Sequence, residues 1–406
     1  MSNRDFEFII SLWISFAVER NVEDVVFLCS FDDEELYYKW PLLSMCTCSS
    51  LITLDWSCCT FDKESIIEWK SLKSLKLQYI LFDDDDIVNL LSCCPALETM
   101  ELSLFEGFRR VEITSSNLKR LTLASHKWPC SGNEDSLEIF APHLQHLDIS
   151  GALGHIKCRL VNVSSLVTAS LTFDICCTAD DSVEDDIEEE SCRDYHQVFR
   201  NLVRDYLRKL SYAIELTIGS WLAEVVFMLQ LEGLALPQLR CKCLTLKLQV
   251  SKHTLYGITS LLDASPLLET LNIHIEYEFG YEHCQLELSY LAEGDDTNLL
   301  CWIPNIVFSS LKNIKIVDCI QRCEWATCSK GWSEGDFDKL IELSKFLLKN
   351  AVVLEKFVIV AKRRKCRKCS ESCASQFLTR LAKTLLDSPR SSKNFVITYQ
   401  ESALDD

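Results

Sequence analysis

Two stretches of the chain hold residues of the kind that do chemistry. In KRRKCRKCSESC, Lys362 to Cys373, the thiols Cys366, Cys369 and Cys373 stand at C-x2-C-x3-C spacing, whose opening matches half of a zinc site. A structural zinc takes four ligands. Cys319, Cys323 and Cys328 complete such a set only if the fold brings them close. The alternative is a loop of unrelated free thiols, and it requires no metal. Six of the seven residues from Lys362 to Lys368 are basic, which reads either as a nuclear import signal or as a solvated loop. In APHLQHLDIS, His143 and His146 lie three apart around Leu144, but no further ligands stand nearby in sequence. The sequence has no H-E-x-x-H, no G-x-S-x-G, no G-x-G-x-x-G and no Walker loop. Its 11 glycines are few for phosphate-cradling backbone. These residues therefore point to no catalytic group, no metal ligand set and no cofactor, and an enzyme is not expected.

The composition narrows the class further. The chain has 406 residues, 48% hydrophobic and 25% charged, which is ample for a packed core. Its net charge of −19 excludes attraction to phosphate backbones or anionic membranes by the overall field, so neither nucleic acid nor membrane is expected as a partner. The 22 cysteines are scattered, with neighbours such as Cys58-Cys59, Cys93-Cys94 and Cys176-Cys177. Adjacent residues on a strand point to opposite faces, so such pairs suit a disulfide framework poorly. Free cysteine is a small buried hydrophobe, and the expected compartment is reducing, cytoplasmic or nuclear. The apolar run FEFIISLWISFAV begins within MSNRDFE, which carries two acids against one arginine, and no small-residue cleavage site follows, so it is expected to be a helix rather than a signal peptide. Ile9, Leu12, Trp13, Phe16 and Ala17 recur there at helical spacing.

A repeat organises the rest. Leu-x-x-Leu-x-Leu recurs as Leu51/Leu54/Trp56, Leu72/Leu75/Leu77, Leu97/Met100/Leu102, Leu118/Leu121/Leu123, Leu144/Leu147/Ile149 and Leu166/Ala169/Leu171. It returns as Ala213/Leu216/Ile218, Cys241/Leu244/Leu246, Leu268/Leu271/Ile273, Leu311/Ile314/Ile316 and Leu354/Phe357/Ile359. Residues two apart share one face of a strand, so each unit predicts a short strand with an inward apolar pair. Between strands the chain must travel back, and an amphipathic helix is expected to carry it. In DDDDIVNLLSCCP, Asp85 or Asp86 is expected to cap that helix, Ile87, Leu90 and Leu91 to form its stripe, and Pro95 to stop it. One unit cannot bury its own face, but a stack can. The fold class is therefore α/β: a leucine-rich-repeat solenoid, with a curved parallel sheet and outer helices or loops.

The phrases CCPALETMEL, SSNLKRLTLAS, IFAPHLQHLDISG and SPLLETLNIHI resemble those of plant F-box/leucine-rich-repeat proteins. FSSLKNIKI, FLLKNAVVLEKFVIV and LLDSPRSSKNFVITY are similar to the three phrases of their C-terminal FBD region. The resemblance implies a chain that recognises a protein substrate for an SCF-type ubiquitin ligase; the alternatives are a leucine-rich-repeat interaction scaffold with no ubiquitin role and a truncated, non-functional F-box protein. It also implies an F-box docking on the adaptor Skp1. No F-box phrase is found in these residues, which begin like the segment just downstream of one, so these residues alone are not expected to bind Skp1. The expected organisation is a helical cap and first strand over 1–30, repeats over 31–300 and an FBD-like helix-strand-helix-strand cap over 301–400. A disordered acidic insert is expected near 178–192, where DDSVEDDIEEE holds eight acids in eleven residues.

Polar residues between the core leucines should face outward and stack into columns on the concave face, where a solenoid meets its partner. Lys76, Glu101, Arg120, His146 and Asp148 are the residues expected to meet a protein there. Of these, Lys76, Glu101, Arg120 and Asp148 are expected at equivalent positions on neighbouring strands.

Overall fold

The fold is that of a computed structural model, which describes residues 3–28, 40–41, 45–60, 67–126, 136–153, 156–175, 189–249, 251–276, 306–317, 334–362, 373–392 and 396–402. Contacts group the chain into two compact units, Met1–Cys176 and Cys177–Asp406.

The first unit runs α1 (Asn3–Glu19), β1 (Asp24–Phe27), β2 (Trp40–Pro41), β3 (Thr53–Ser57), β4 (Cys59–Thr60), β5 (Ser74–Leu81), α2 (Asp84–Cys93), β6 (Thr99–Glu106) and β7 (Arg110–Glu112). It continues with β8 (Arg120–His126), β9 (Ser136–Phe140), β10 (His146–Ala152), β11 (Lys157–Asn162) and β12 (Thr168–Asp174). Its main sheet is parallel, in the order β1-β3-β5-β6-β8-β10-β12. The repeat positions sit in register: Leu54, Leu75, Met100, Leu121, Leu147 and Ala169 form one inward row. Trp56, Leu77, Leu102, Leu123, Ile149 and Leu171 form the next. Both rows are buried. The backbone repeats with equal regularity. Glu23, Ile52, Lys73, Glu98, Lys119 and Gln145 each offer a carbonyl to two successive N–H groups of the next rung. The carbonyl's two lone pairs are thereby used at every step.

The second unit runs α3 (Glu189–Lys209), β13 (Glu215–Gly219), α4 (Ser220–Leu231), β14 (Cys243–Leu248), α5 (Lys252–Asp263), β15 (Thr270–Ile275) and β16 (Asn313–Val317). It ends α6 (Glu334–Asn350), β17 (Lys356–Lys362), α7 (Cys373–Leu386) and β18 (Val396–Ser402). Its strands pair in parallel from β13 through β18. The inward rows are Leu216, Leu244, Leu271, Ile314 and Phe357, and Ile218, Leu246, Ile273, Ile316 and Ile359, all buried. The expected helix-strand-helix-strand end is present, and Leu340, Leu347, Leu348, Leu381 and Leu385 are buried from its helices.

Several local expectations need correction. The return path after β5 is a helix, but after β6, β8 and β10 it is a short outer strand, and β7, β9 and β11 pair in a second parallel sheet. Val111, Leu137, Ile139, Cys158 and Leu160 alternate inward there, so a period of two buries what a helical stripe would have buried. The cap of α2 is Asp83, whose side chain accepts from the Asp86 N–H at 2.9 Å, while Asp86 accepts from the Asp83 N–H at 2.9 Å. Asp85 is exposed in the first turn, where it faces the helix dipole favourably. Of the α2 stripe, Ile87 and Leu90 are buried and Leu91 only half so. The first helix forms, but it buries Ile10 and Ile14 near the 3-10 turn Met45–Thr47 and leaves Leu12, Trp13 and Phe16 exposed. Glu189 to Cys192, expected in a disordered insert, open α3; the acidic residues before them lie outside the described residues.

One feature of the first unit had no counterpart in the repeat pattern. Cys58, Tyr79, Leu104, Ser125 and Gly151 all have left-handed backbone, φ 59°, 53°, 50°, 50° and 74°. Each follows a residue of the in-register row Ser57, Gln78, Ser103, Ala124 and Ser150. Pairing skips Tyr79, Leu104 and Ser125 and resumes at Ile80, Phe105 and His126. A left-handed kink is thus stacked on a left-handed kink at the same height of successive rungs. It resets the alternation, so that Ile80 and Phe105 point inward again and are buried. Non-glycine residues in this region cost on the order of 1 kcal/mol each. A Cβ at Gly151 would stand 2.1 Å from the Ser125 hydroxyl, which would have to rotate away, while the φ of 74° itself favours glycine at this member of the column.

Candidate functional site

Alternation that sends leucines inward sends the intervening residues to the open face of the main sheet. In the first unit they form three rows. The first is Asp24, Thr53, Ser74, Thr99, Arg120, His146 and Thr168. The second is Val26, Asp55, Lys76, Glu101, Thr122, Asp148 and Ser170. The third is Ser57, Gln78, Ser103, Ala124, Ser150 and Thr172. The structure brings Lys76, Glu101 and Asp148 into one row, as the repeat required. Arg120 is not level with them. It precedes its core leucine rather than following it, so it stands in the adjacent row, next to His146. The five residues therefore occupy two neighbouring rows of one face.

The face is held by short-range polar contacts. The Lys76 ammonium lies 3.1 Å from a Glu101 carboxylate oxygen. His146 Nδ1 and the Thr168 hydroxyl are 2.7 Å apart, and the Thr53 hydroxyl donates to Asp24. Arg120 is exposed, whereas Lys76, Glu101, His146 and Asp148 are half-buried among their neighbours. Asp55 and Asp148 each have an enclosed Oδ1 with no hydrogen-bond donor among the described residues. The Asp55 carboxyl is held above its ordinary value, chiefly by lost hydration, with Lys76 opposing and Glu101 adding to the shift. A carboxyl raised in the fold destabilises the folded state once it ionises, so stability should fall as pH rises from the unfolded value through the folded one. Asp55→Asn is accordingly expected to raise Tm at pH 7, with the gain over the wild type disappearing by pH 3. Parallel melting curves at the two pH values check this; a lower Tm at pH 7 would mean that the charge of Asp55 supports the fold.

Cys46, Cys48, Cys58, Cys94, Cys158 and Cys241 are buried cysteines. Burial pushes Cys46, Cys94 and Cys158 up to about 12, which keeps them as unreactive thiols. Among the described residues no group of three or more His, Cys, Asp or Glu side chains could hold a metal ion. Cys366 and Cys369 lie outside those residues, as do Cys319, Cys323 and Cys328, and Cys373 is the first residue of α7. His143 is exposed at the turn before β10. No helix among the described residues is long and apolar enough to cross a membrane.

A stack of parallel strands with a repeating inward leucine pair, outer helices or strands and a polar open face defines the leucine-rich-repeat class. Residues 10–171 match the family described as FBD-associated F-box protein At5g56370, LRR repeats. The first unit is thus similar to the repeats of FBD-associated F-box proteins, and the chain is similar to plant F-box/LRR-repeat proteins. It is 28% identical over 305 residues to the F-box/LRR-repeat protein At3g03360 of Arabidopsis thaliana, covering 73% of this chain and 58% of that protein. It is 29% identical over 268 residues to the putative F-box/LRR-repeat protein At3g28410 of the same plant, covering 65% and 54%. A longer match, 26% over 353 residues, is to the putative F-box/LRR-repeat protein At3g18150, covering 86% and 68%. The chain spans a little over half the length of the first two relatives. Proteins of this kind are generally interaction modules.

Proposed function

We propose that the open face of the first unit is a protein-binding surface, and that the chain is the substrate-recognition part of an SCF-type ubiquitin ligase receptor. The observation that carries the binding role is the register itself. Core residues occupy one side of every rung, so the polar rows on the other side are free to be set by a partner. Solenoid binders spread contacts over several rungs in this way. The ubiquitin role rests on the relatives, whose names are those of F-box proteins. A leucine-rich-repeat scaffold without a ubiquitin role is the second reading. Retention of Skp1 by these residues in a pull-down would remove that reading and place a docking module within them; no retention is the expected result.

The quadruple variant Lys76→Ala, Glu101→Ala, Arg120→Ala, Asp148→Ala tests the surface. Each change at such a position should alter stability by about 0.5 kcal/mol or less. Tm is expected to stay within a few degrees while affinity for a captured protein partner falls at least about tenfold. Unchanged affinity in a folded variant would move the site off this face.

A further inference from the structure

The charges on the open face define the kind of partner it fits. The first unit, 1–176, carries 26 acidic against 14 basic residues, a net of −12, so most of the chain's −19 resides there. On the face itself, Asp24, Asp55, Glu101 and Asp148 oppose Lys76 and Arg120. Lys76 is engaged by Glu101 at 3.1 Å. Asp24, Asp55 and Asp148 form no ion pair with the described residues. The surrounding positions are small and polar, Thr53, Ser74, Thr99, Thr122 and Ser170 among them, so a backbone can approach closely between the charges.

We propose that this face takes a basic protein segment, laid across the strands in extended form, with cationic side chains set against Asp55 and Asp148. This rests on the open face being the partner surface. Asp55 and Asp148 share one row on β3 and β10, with β5, β6 and β8 between them. At about 4.8 Å per strand they are separated by about 19 Å, the span of about six residues of extended chain. An even number of residues returns side chains to the same side of an extended segment, so both cations can face the sheet at once. A neutral or acidic segment gains nothing from the field of this unit, and complementarity of sign also speeds encounter.

The test uses defined probes on the full chain. A fluorescent (Lys-Ser)8 peptide is titrated by anisotropy at low salt, beside (Glu-Ser)8. The variants are Asp55→Asn with Asp148→Asn, on the face, and Glu68→Gln with Asp85→Asn, which remove equal charge from exposed positions off the face. The proposal expects binding of (Lys-Ser)8 only, weakened at least about tenfold by the face pair and about twofold or less by the control pair. Equal weakening by both pairs, binding of (Glu-Ser)8 with comparable affinity, or no binding of (Lys-Ser)8 overturns it. If the peptide results fail while the quadruple alanine variant still loses its partner, the face is the partner surface but its partner is not basic. If the quadruple variant also keeps its partner, the surface assignment itself falls.

Discussion

Gly257→Ala is expected to cost about 2–3 kcal/mol, measured by denaturant unfolding, although it adds a single methyl to a helix. The cause lies in how α4 and α5 meet. A Cβ at Gly257 would stand 2.0 Å from the Ala223 carbonyl oxygen and 2.7 Å from its carbon. These are backbone atoms, so no side chain can rotate to make room, and the two helices must move apart. α4 has little freedom to move, since Trp221 to Leu229 are all buried. Its one carboxylate in that run, Glu224, accepts a hydrogen bond from the Ser251 hydroxyl at 3.4 Å, at the cap of α5. Gly233 provides the contrast. It has φ +73° with nothing within 4 Å of an added Cβ, so Gly233→Ala suffers only the left-handed backbone, about 1 kcal/mol. If Gly257→Ala costs no more than Gly233→Ala, the helices are not in the close contact described.

Leu121→Ala is expected to cost about 2–5 kcal/mol by leaving a cavity, while Thr122→Ala stays within about 0.5 kcal/mol. The two residues are neighbours on β8, one fully buried and the other on the open face. Leu121 sits between Met100 and Leu147 in its row, so its removal opens the core on both sides. Reversed costs would place every strand of the unit one residue out of register, since strand alternation has a period of two.

The inward pairs were legible because burial must repeat at each rung: the repeats from Leu51/Leu54/Trp56 to Leu354/Phe357/Ile359 are all buried. The return paths were less so, because an outer strand such as Lys157–Asn162 and a helix such as Asp84–Cys93 solve the same problem with different periods. The left-handed column was hidden for a different reason. Tyr79, Leu104 and Ser125 do not favour left-handed backbone, so only Gly151 hinted at it. The helix α3 fell in a gap where the leucine period breaks, though its Arg200, buried and ion-paired with Glu232, belongs to the core of the second unit. On the open face, the row of Lys76, Glu101 and Asp148 followed from alternation. Arg120 was displaced because level positions must be counted from the core leucine in one direction, and it lies on the other side of Leu121.

The claim on which the account turns is that a protein partner crosses the open face of the first unit. A photo-cross-linking residue at Thr122, in the middle row between Glu101 and Asp148, tests it directly. The same residue at Val88, exposed on α2, serves as the reference. The account predicts a partner cross-link from position 122 and none from 88; a cross-link from 88 with none from 122 would contradict it.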